Sequence, residues 1–577
     1  MASTLFHPEL NRLNMGQLLN PETDYALEFA VGLTYSMDFQ ALLGIPIALG
    51  MFEDLDSTHL SNPYFLLEAV RKSSDRLAIF CNLGSIKVPK EYNNVFTLLE
   101  QGIFEIGIEN GNFHPKVWFV KYTNKNKDSF VKIITLSRNL TFDRSLDIAV
   151  ELSGPVGKTI NKDNLPLSEL LHYVAQHSNE LKAKQIKSLA EDIMKIESFE
   201  GLDQIERVSF HHFGVSNTAP KAEALFSDAN SLIVMSPFLT DSVIEQLTIR
   251  PKDKILITRK SSVTKKVYES FDEVYIVSDK ILDDDITEEN TIENLPKRDI
   301  HAKVFFKGSN QGNFLFCGSL NASANAFYHN IEFLVGLKFK PNTKGYTTIK
   351  NDLLASEPCP FELLEDYDQM LIPESENTKS SLTEILIHLS KSTAHVSKYN
   401  ENYQVKIEYE LAIKSVSIRP ITKPFGFVNL ESKTNLINLC LLELTEFYVI
   451  KLDKEFAIVK IPTQGIPTYE RDNMIFRSII NNKVGFLAFV SFMLSDNYAE
   501  VSLEQSEYID SLVSGKQKQK QIPLALYERL LKAAYSNPKK IDEIEELMKR
   551  LEPKVVTEEF KEMLSLFKSV TKKVVKR

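Results

Sequence analysis

"FHPKVWFV" at 113–120 and "IHAKVFF" at 300–306 each contain a His, one intervening residue and a Lys, followed by an apolar run. In an extended chain, side chains two positions apart point to the same side, so each His and its Lys face one common space. An imidazole within an apolar run costs desolvation free energy unless both ring nitrogens have partners. The two stretches therefore predict two walls of one polar site rather than two ordinary strands.

Each His-x-Lys pattern lies inside a longer repeat whose segments follow the same order. An apolar strand comes first, then His-x-Lys, then a strand that ends in Ser-x-Asn, and then an acidic residue. Such continuous apolar strands are typical of a sheet that helices cover on both faces. The corresponding segments are "DRLAIFCNLGS" and "DKILITRKSS" for the first strand, and "TLSRNLTFDRSLDIAVEL" and "FCGSLNASANAFYHNIEFLVGL" for the last.

The repeat also predicts the domain organisation. We expect two tandem α/β domains at 1–200 and 205–375, joined by a helix over 165–198, and an α+β domain at 382–577. The last domain follows the polar linker "ESENTKSS" and contains short β-type segments such as "TEFYVIKL". Its end is strongly helical, and Pro538 is expected to separate two helices there.

The composition is that of a soluble globular protein with several domains, since the 577 residues are 43% hydrophobic and 25% charged. The first residues show no basic region followed by an apolar core, so no signal peptide is expected. The apolar runs "ALLGIPIALGMF" and "VGFLAFVSFML" are too short to cross a bilayer. The four cysteines lie far apart without a CxxC pair, which favours free thiols in a reducing compartment. We therefore expect a cytoplasmic protein that does not associate with membranes.

The charge is unevenly distributed along the chain. The net charge of −10 argues against a general nucleic-acid coat, but residues 511–577 contain 16 Lys and Arg against 9 Asp and Glu. A basic tail of this kind can recruit a polyanion. A pair of solvated amphipathic helices with a Lys-rich end explains the same composition, so both interpretations stay open.

The polar residues of the repeat suit a phosphoryl group. Ammonium, hydroxyl and amide groups all donate hydrogen bonds to anionic oxygens. Two such sets, facing one another across a pseudo-two-fold axis, would surround one phosphate. One imidazole would attack phosphorus and the other would protonate the leaving oxygen. The two sets are His114, Lys116, Ser137 and Asn139 in the first copy, and His301, Lys303, Ser319 and Asn321 in the second.

These residues resemble the phospholipase D superfamily, whose signature is H-x-K followed by G-S-x-N and a later Glu, present twice per active site. The resemblance covers residues 30–375 and is complete in the second copy, where "CGSLNAS" contains G-S-x-N. In the first copy Leu136 replaces the glycine, which is expected to narrow that half-site. The signature's Asp is replaced by Lys121 and Gly308, as in some other members. The resemblance implies an α/β fold: two tandem phospholipase D-like α/β/α domains forming a pseudo-two-fold pair, plus a C-terminal α+β domain.

The resemblance also implies a role for each matched residue. His114 and His301 would be the nucleophile and the general acid, with a covalent phosphohistidine intermediate, and His114 is the expected nucleophile. The lysines and asparagines would hold the non-bridging oxygens, and the serines would support them. Glu332 matches the acid that orients a histidine, while Asp147 takes that place in the first copy, with Glu151 as the alternative. No metal or other cofactor is expected, because the cationic residues supply the charge that a metal would offer.

A fold alone does not identify the phosphodiester that is cleaved. Our first hypothesis is a nuclease acting on DNA or RNA, with an ATPase or helicase as partner in bacterial defence against phage. The sequence has no apolar interfacial helix or lipidation motif, which disfavours a lipid substrate. Two alternatives stay open: a phospholipase or phosphatidyltransferase, and a catalytically degenerate nucleic-acid-binding subunit. Both half-sites lie on one chain, so catalysis requires no dimer, and the oligomeric state is not predicted.

Overall fold

The structure is a computed structural model, and it describes residues 6, 18–22, 24–50, 62–90, 92–141, 145–216, 221–278, 299–354, 359–367, 382–409, 416–494 and 524–574. It shows a mixed α/β protein with two compact units. Unit 1 consists of Met1–Leu42, Arg76–Val88 and Gly102–Ile387, and unit 2 of Leu43–Asp75, Pro89–Gln101 and His388–Arg577. Both His-x-Lys patterns therefore lie in unit 1. The domain boundaries at 200, 205, 375 and 382 stay predictions.

The first half of unit 1 is built on a six-stranded mixed sheet. Its order is β3-β2-β1-β4-β5-β7, in which β1 to β3 are parallel and β4, β5 and β7 follow as antiparallel neighbours. The short strand β6 lies outside this sheet. The strands are β1 Tyr25–Leu33, β2 Leu77–Asn82, β3 Ile103–Ile106, β4 Val117–Asn124, β5 Ser129–Leu136, β6 Ser145–Leu146 and β7 Ala149–Pro155.

The second half of unit 1 repeats this topology. Its eight-stranded sheet has the order β16-β11-β10-β9-β13-β14-β15-β8, and the run from β11 to β15 matches the first sheet in both order and strand direction. The short strand β12 pairs with β6 instead. The strands are β8 Ile205–Phe213, β9 Ser231–Met235, β10 Asp253–Thr258, β11 Glu273–Val277, β12 Asp299–Ile300, β13 Val304–Ser309, β14 Gly312–Gly318, β15 Glu332–Phe339 and β16 Phe361–Leu363.

Some helices of the chain are short, and others are amphipathic helices of three turns or more. In addition to helices, unit 2 contains two four-stranded sheets, whose strand orders are β21-β18-β17-β24 and β20-β19-β22-β23. The helices are α1 Phe39–Gly50, α2 Pro63–Ser73, α3 Leu165–Ala175, α4 Glu180–Ile193, α5 Ala222–Phe226, α6 Asp241–Thr248, α7 Lys265–Glu269, α8 Ala324–Tyr328, α9 Tyr346–Leu354, α10 Leu382–Ser390, α11 Thr468–Ile479, α12 Lys483–Leu494, α13 Leu524–Ser536, α14 Lys539–Arg550 and α15 Glu558–Val574. The strands of unit 2 are β17 Thr393–Tyr399, β18 Asn402–Glu408, β19 Val416–Pro420, β20 Val428–Asn429, β21 Lys433–Leu439, β22 Phe447–Leu452, β23 Glu455–Lys460 and β24 Thr463–Gln464.

One hydrophobic core joins the two sheets of unit 1. It contains buried side chains of both halves, such as Phe119 and Phe306, together with the apolar faces of α3 and α4. Burial of this kind stabilises the folded chain by about 25 cal/mol for each Å² of apolar surface removed from water. The single helix predicted over 165–198 is in fact two helices, because the Asn179 side chain caps α4 by accepting a hydrogen bond from Lys182 N. A shared core therefore fixes the two halves against each other.

Unit 2 has a helical core of its own, formed by side chains of α2 and of α11 to α15. The helices α13 and α14 end and begin on either side of Pro538, as the sequence predicts. The described residues of the two apolar runs lie in α1 and α12. Among the described residues, we find no helix with the length and hydropathy of a membrane span. All four cysteines are free thiols.

Candidate active site

In each His-x-Lys pattern the strand begins directly after the Lys rather than around it. The backbone of each His is bonded to the other half of unit 1. His114 N donates to Ile331 O at 2.9 Å, and His301 N donates to Leu146 O at 2.9 Å. The first contact continues a bridge between the halves, and the second continues the β6–β12 pair. Each His is therefore held beside the acidic residue of the opposite half.

Glu332, the first residue of β15, holds His114. Its Oε2 lies 2.9 Å from His114 Nδ1, and its side chain is fully buried. Ser319 Oγ donates to the same carboxylate oxygen, and Asn330 Nδ2 donates to the other at 2.9 Å. Because Nδ1 faces a carboxylate, we assign the proton to Nδ1 and the lone pair to Nε2. A histidine nucleophile requires this tautomer.

Asp147 occupies the place in the first half that Glu332 has in the second. In each half the serine of Ser-x-Asn donates a hydrogen bond to the acid. The same serine accepts a hydrogen bond, 2.9 Å long, from the backbone N–H of the residue that follows the acid. The serine that pairs with Asp147 is Ser137, at 3.0 Å. The alternative acid, Glu151, forms an ion pair of 2.8 Å with Lys132 instead. Asp147 is therefore the counterpart of Glu332.

A serine hydroxyl lies between Asp147 and His301. Ser145 Oγ lies 3.1 Å from Asp147 Oδ2 and 3.0 Å from His301 Nδ1. A serine hydroxyl thus connects His301 with the acid of the opposite half.

Lys116 and Lys303 are buried, with exposed fractions of 2% and 3%. Lys116 Nζ lies 3.0 Å from His114 Nε2, and Lys303 Nζ donates to His301 O at 2.7 Å. Burial, and then the charge of Lys303, lowers the pKa of Lys116 well below its usual range, which Glu332 offsets in part. Two buried like charges are unfavourable unless an anion balances them. The site is therefore suited to an anionic group.

The same surroundings keep His114 neutral. The pKa of His114 is lowered to about 4, chiefly by burial; the carboxylate of Glu332 opposes this shift, and the charges of Lys116 and Lys303 add to it. An imidazole with this pKa carries no charge at neutral pH and keeps its Nε2 lone pair. It can therefore act as a nucleophile without first losing a proton.

The two motif asparagines lack partners for their side-chain oxygens. Oδ1 of Asn139 and Oδ1 of Asn321 are buried and have no hydrogen-bond partner among the described residues. Leaving a buried amide oxygen unpaired costs about 1–3 kcal/mol. If the amide is turned by half a rotation, its NH₂ group takes the same position and would donate to an oxyanion. Matching unpaired groups in both halves are typical of a site that a ligand completes.

The glycine that the first half lacks is needed only in the second. Gly318 has a φ of +155°, and a Cβ there would lie 2.3 Å from the carbonyl oxygen of Phe333. Leu136 is instead an ordinary last residue of β5, paired with Ala149. Since the serine after Leu136 makes the same bonds as its counterpart, the leucine leaves the hydrogen bonding of the first half-site unchanged.

Three residues near the site were not predicted: Tyr35, Ser145 and Asn330. The Tyr35 ring centroid lies 5.1 Å from that of His114, and Lys116 Nζ lies 5.8 Å from the Tyr35 ring centroid. Ser145 and Asn330 both stand two positions before the acid, in "SLD" and "NIE". That common spacing was a visible signal, although the contacts that give it meaning cross between the halves.

No family model and no curated protein matches the chain. The chain is similar to solved structures. Tyrosyl-DNA phosphodiesterase from yeast has 12% sequence identity and a TM-score of 0.35, covering 60% of this chain and 89% of the yeast chain. Polyphosphate kinase from Porphyromonas gingivalis has 11% identity and a TM-score of 0.31, covering 57% of this chain and 42% of that one.

Proposed function

We propose that the chain is a metal-independent phosphodiesterase that cleaves nucleic acid through a phosphohistidine on His114. The observation that carries this proposal is the buried pair of lysines beside two histidines that are oriented from opposite halves. The equal strand order of the two sheets supports a pseudo-two-fold pair of phospholipase D-like domains. Each half then contributes one wall to a single phosphate site.

In the first step, the Nε2 lone pair of His114 attacks phosphorus and forms a P–N bond. The bond from phosphorus to the leaving oxygen breaks, and that oxygen takes a proton from His301. The negative charge of Glu332 stabilises the charge that develops on the His114 ring. Lys116 and Lys303 neutralise the non-bridging oxygens, where charge accumulates in the transition state.

In the second step, water attacks the phosphorus of the intermediate and gives its proton to His301. The P–N bond breaks, its electron pair returns to His114 Nε2, and the phosphate product leaves. His301 thus alternates between acid and base, whereas His114 alternates between free and phosphorylated. The direct contact of Glu332 with His114 supports His114 as the nucleophile, because a carboxylate stabilises the ring that carries the phosphoryl group.

Nucleic acid is the substrate class that the sequence favours, because residues 511–577 carry an excess of basic over acidic residues. The test is incubation of the protein with labelled single- and double-stranded DNA and RNA in EDTA, beside phosphatidylcholine vesicles. We expect cleavage of at least one nucleic acid and none of the lipid. Cleavage of lipid alone would identify lipid, rather than nucleic acid, as the substrate class. Salt-sensitive binding of nucleic acid without any cleavage product would indicate a catalytically degenerate subunit. A phage-defence role and an ATPase or helicase partner stay hypotheses.

Glu332→Gln should lower the rate by about 10- to 100-fold, because a neutral amide cannot balance the charge that forms on His114. The pKa of His114 is already lowered to about 4. Glu332 raises that pKa, so its loss must lower it further. The acid limb of kcat/KM on bis(p-nitrophenyl) phosphate should therefore lie near pH 4 in the wild type and at lower pH in the variant. Glu169→Gln, which alters the partner of His212, is the matched control. An acid limb that moves upward would contradict the assignment.

Ser145→Ala should slow cleavage of substrates whose leaving oxygen needs a proton, by about 10-fold. The variant removes the hydroxyl that lies between Asp147 and His301. Because p-nitrophenolate leaves without a proton, the first step on bis(p-nitrophenyl) phosphate should keep its rate, measured as the burst of p-nitrophenolate. Ser145→Thr, which keeps the hydroxyl, should restore cleavage of nucleic acid. Equal loss on both substrates would show that Ser145 only supports the fold.

A further inference from the structure

Phe238 is an exposed aromatic residue beside the second half-site. It lies in the segment that follows β9, and 50% of its surface is exposed. The exposed half of this ring can stack on a ligand that occupies the polar site. In the first half, the residue at the corresponding position after β1 is Ser36, because Leu33 and Met235 pair with matching residues of β4 and β13. The matching position of the first half therefore holds no aromatic ring.

The backbone that carries Phe238 is tied to the segment that carries Asn321. Ser236 Oγ donates to Phe238 O at 2.9 Å and accepts a hydrogen bond from Ala322 N at 3.0 Å. On the other side of Phe238, Thr240 N donates to Ala322 O at 3.0 Å. Because Ala322 directly follows Asn321, Phe238 has a fixed place at the rim of the second half-site.

Arg259 adds a cation to this aromatic ring. Its guanidinium carbon lies 4.4 Å from the ring centroid of Phe238, within the range of a cation–π contact. Its Nη2 donates to Ile300 O at 3.4 Å, and Ile300 is the residue before His301. The stacked Phe238 and Arg259 therefore lie next to the histidine to which we assign the leaving oxygen.

We propose that Phe238 and Arg259 form a stacking platform for an unpaired nucleobase on the leaving-group side of the scissile phosphate. An aromatic ring with an adjacent cation is the combination that binds single-stranded nucleic acid, where each base has a free face for stacking. A base inside a duplex has both faces covered by its neighbours, so the platform selects single strands or frayed ends. This inference deepens the proposed function and rests on it.

The test compares Phe238→Ala with the wild type on three substrates: a single-stranded oligonucleotide, the same strand with one abasic position, and bis(p-nitrophenyl) phosphate. We expect Phe238→Ala to raise KM for the intact strand about 10-fold, which corresponds to the lower part of the stacking range. With the wild type, KM should be higher for the abasic strand than for the intact strand by about the same factor. With Phe238→Ala, KM should be equal for the two strands. The small diester, which has no base, should be cleaved at an unchanged rate.

Phe238→Trp keeps a stacking surface and should restore the affinity for the intact strand, while Phe425→Ala alters an exposed ring of unit 2 and serves as control. If Phe238→Ala cleaves intact and abasic strands like the wild type, the platform is refuted and the nuclease stands. If the wild type cleaves the small diester but no nucleic acid, the nucleic-acid substrate and the platform fall together. If Phe238→Ala also loses activity on the small diester, Phe238 supports the site itself, and the platform is refuted.

Discussion

His114→Ala should abolish phosphodiester cleavage, whereas His301→Ala should accumulate a phosphorylated His114. Loss of the nucleophile removes the only route to the covalent intermediate, and we expect a decrease of at least about 10³-fold. Loss of His301 leaves the attacking nitrogen and its carboxylate partner in place, since His114 Nδ1 contacts Glu332 at 2.9 Å. With p-nitrophenolate as leaving group, the first step needs no proton, but the attacking water then lacks its base.

The measurement is intact-protein mass spectrometry after mixing each variant with bis(p-nitrophenyl) phosphate, followed by peptide mapping. We expect one p-nitrophenyl phosphoryl adduct on His114 in His301→Ala, because the first step breaks only one of the two ester bonds, and no adduct in His114→Ala. His395→Ala, which alters an exposed histidine of unit 2, should behave as the wild type. An adduct on His301 in the His114→Ala protein would reverse the two roles. Full activity in either variant would remove the phosphohistidine route.

The sequence predicts the two half-sites because each of them depends on local patterns. His-x-Lys, Ser-x-Asn and the following acid each occupy one short segment, and their order repeats. The α/β class follows from the same apolar strands. Asp147 could be chosen over Glu151 only with the structure, since the choice depends on which carboxylate meets Ser137 and which meets Lys132.

Other features depend on contacts between distant parts of the chain, and no local pattern shows them. Segments 43–75 and 89–101 interrupt the first half in sequence but belong to unit 2. The apolar residues of these two segments show no sequence pattern that distinguishes burial in the core of unit 1 from burial in the core of unit 2. The position of Ser145 between Asp147 and His301 likewise exists only because β6 pairs with β12 across the two halves. A pairing register of this kind is set by tertiary packing rather than by the sequence near it.

Lys116→Met should lower activity by about 10²- to 10³-fold and at the same time raise thermal stability. The ammonium group neutralises the transition-state oxygens, so its loss affects catalysis directly. In the folded protein the same charge is buried beside Lys303, and this lowers the pKa of Lys116. The unfolded chain therefore binds more protons at this residue than the folded one, and folding is opposed at neutral pH. The unfavourable contribution of Lys116 to folding becomes smaller as the pH rises toward the ordinary pKa of lysine. The gain in stability from Lys116→Met should therefore decrease as the pH rises.

The measurement is the melting temperature of wild type and variant from pH 7 to pH 10, with and without inorganic phosphate. Phosphate should stabilise the wild type, because a bound anion balances both lysines, and should stabilise Lys116→Met less. Lys132→Met is the matched control: this lysine is also buried, but it forms an ion pair of 2.8 Å with Glu151. Its removal leaves a carboxylate without its partner, so it should not raise stability, and the response to phosphate should match the wild type. If Lys116→Met instead melts below the wild type and responds to phosphate equally, the two buried lysines are not a phosphate site, and the proposed chemistry has no place to occur.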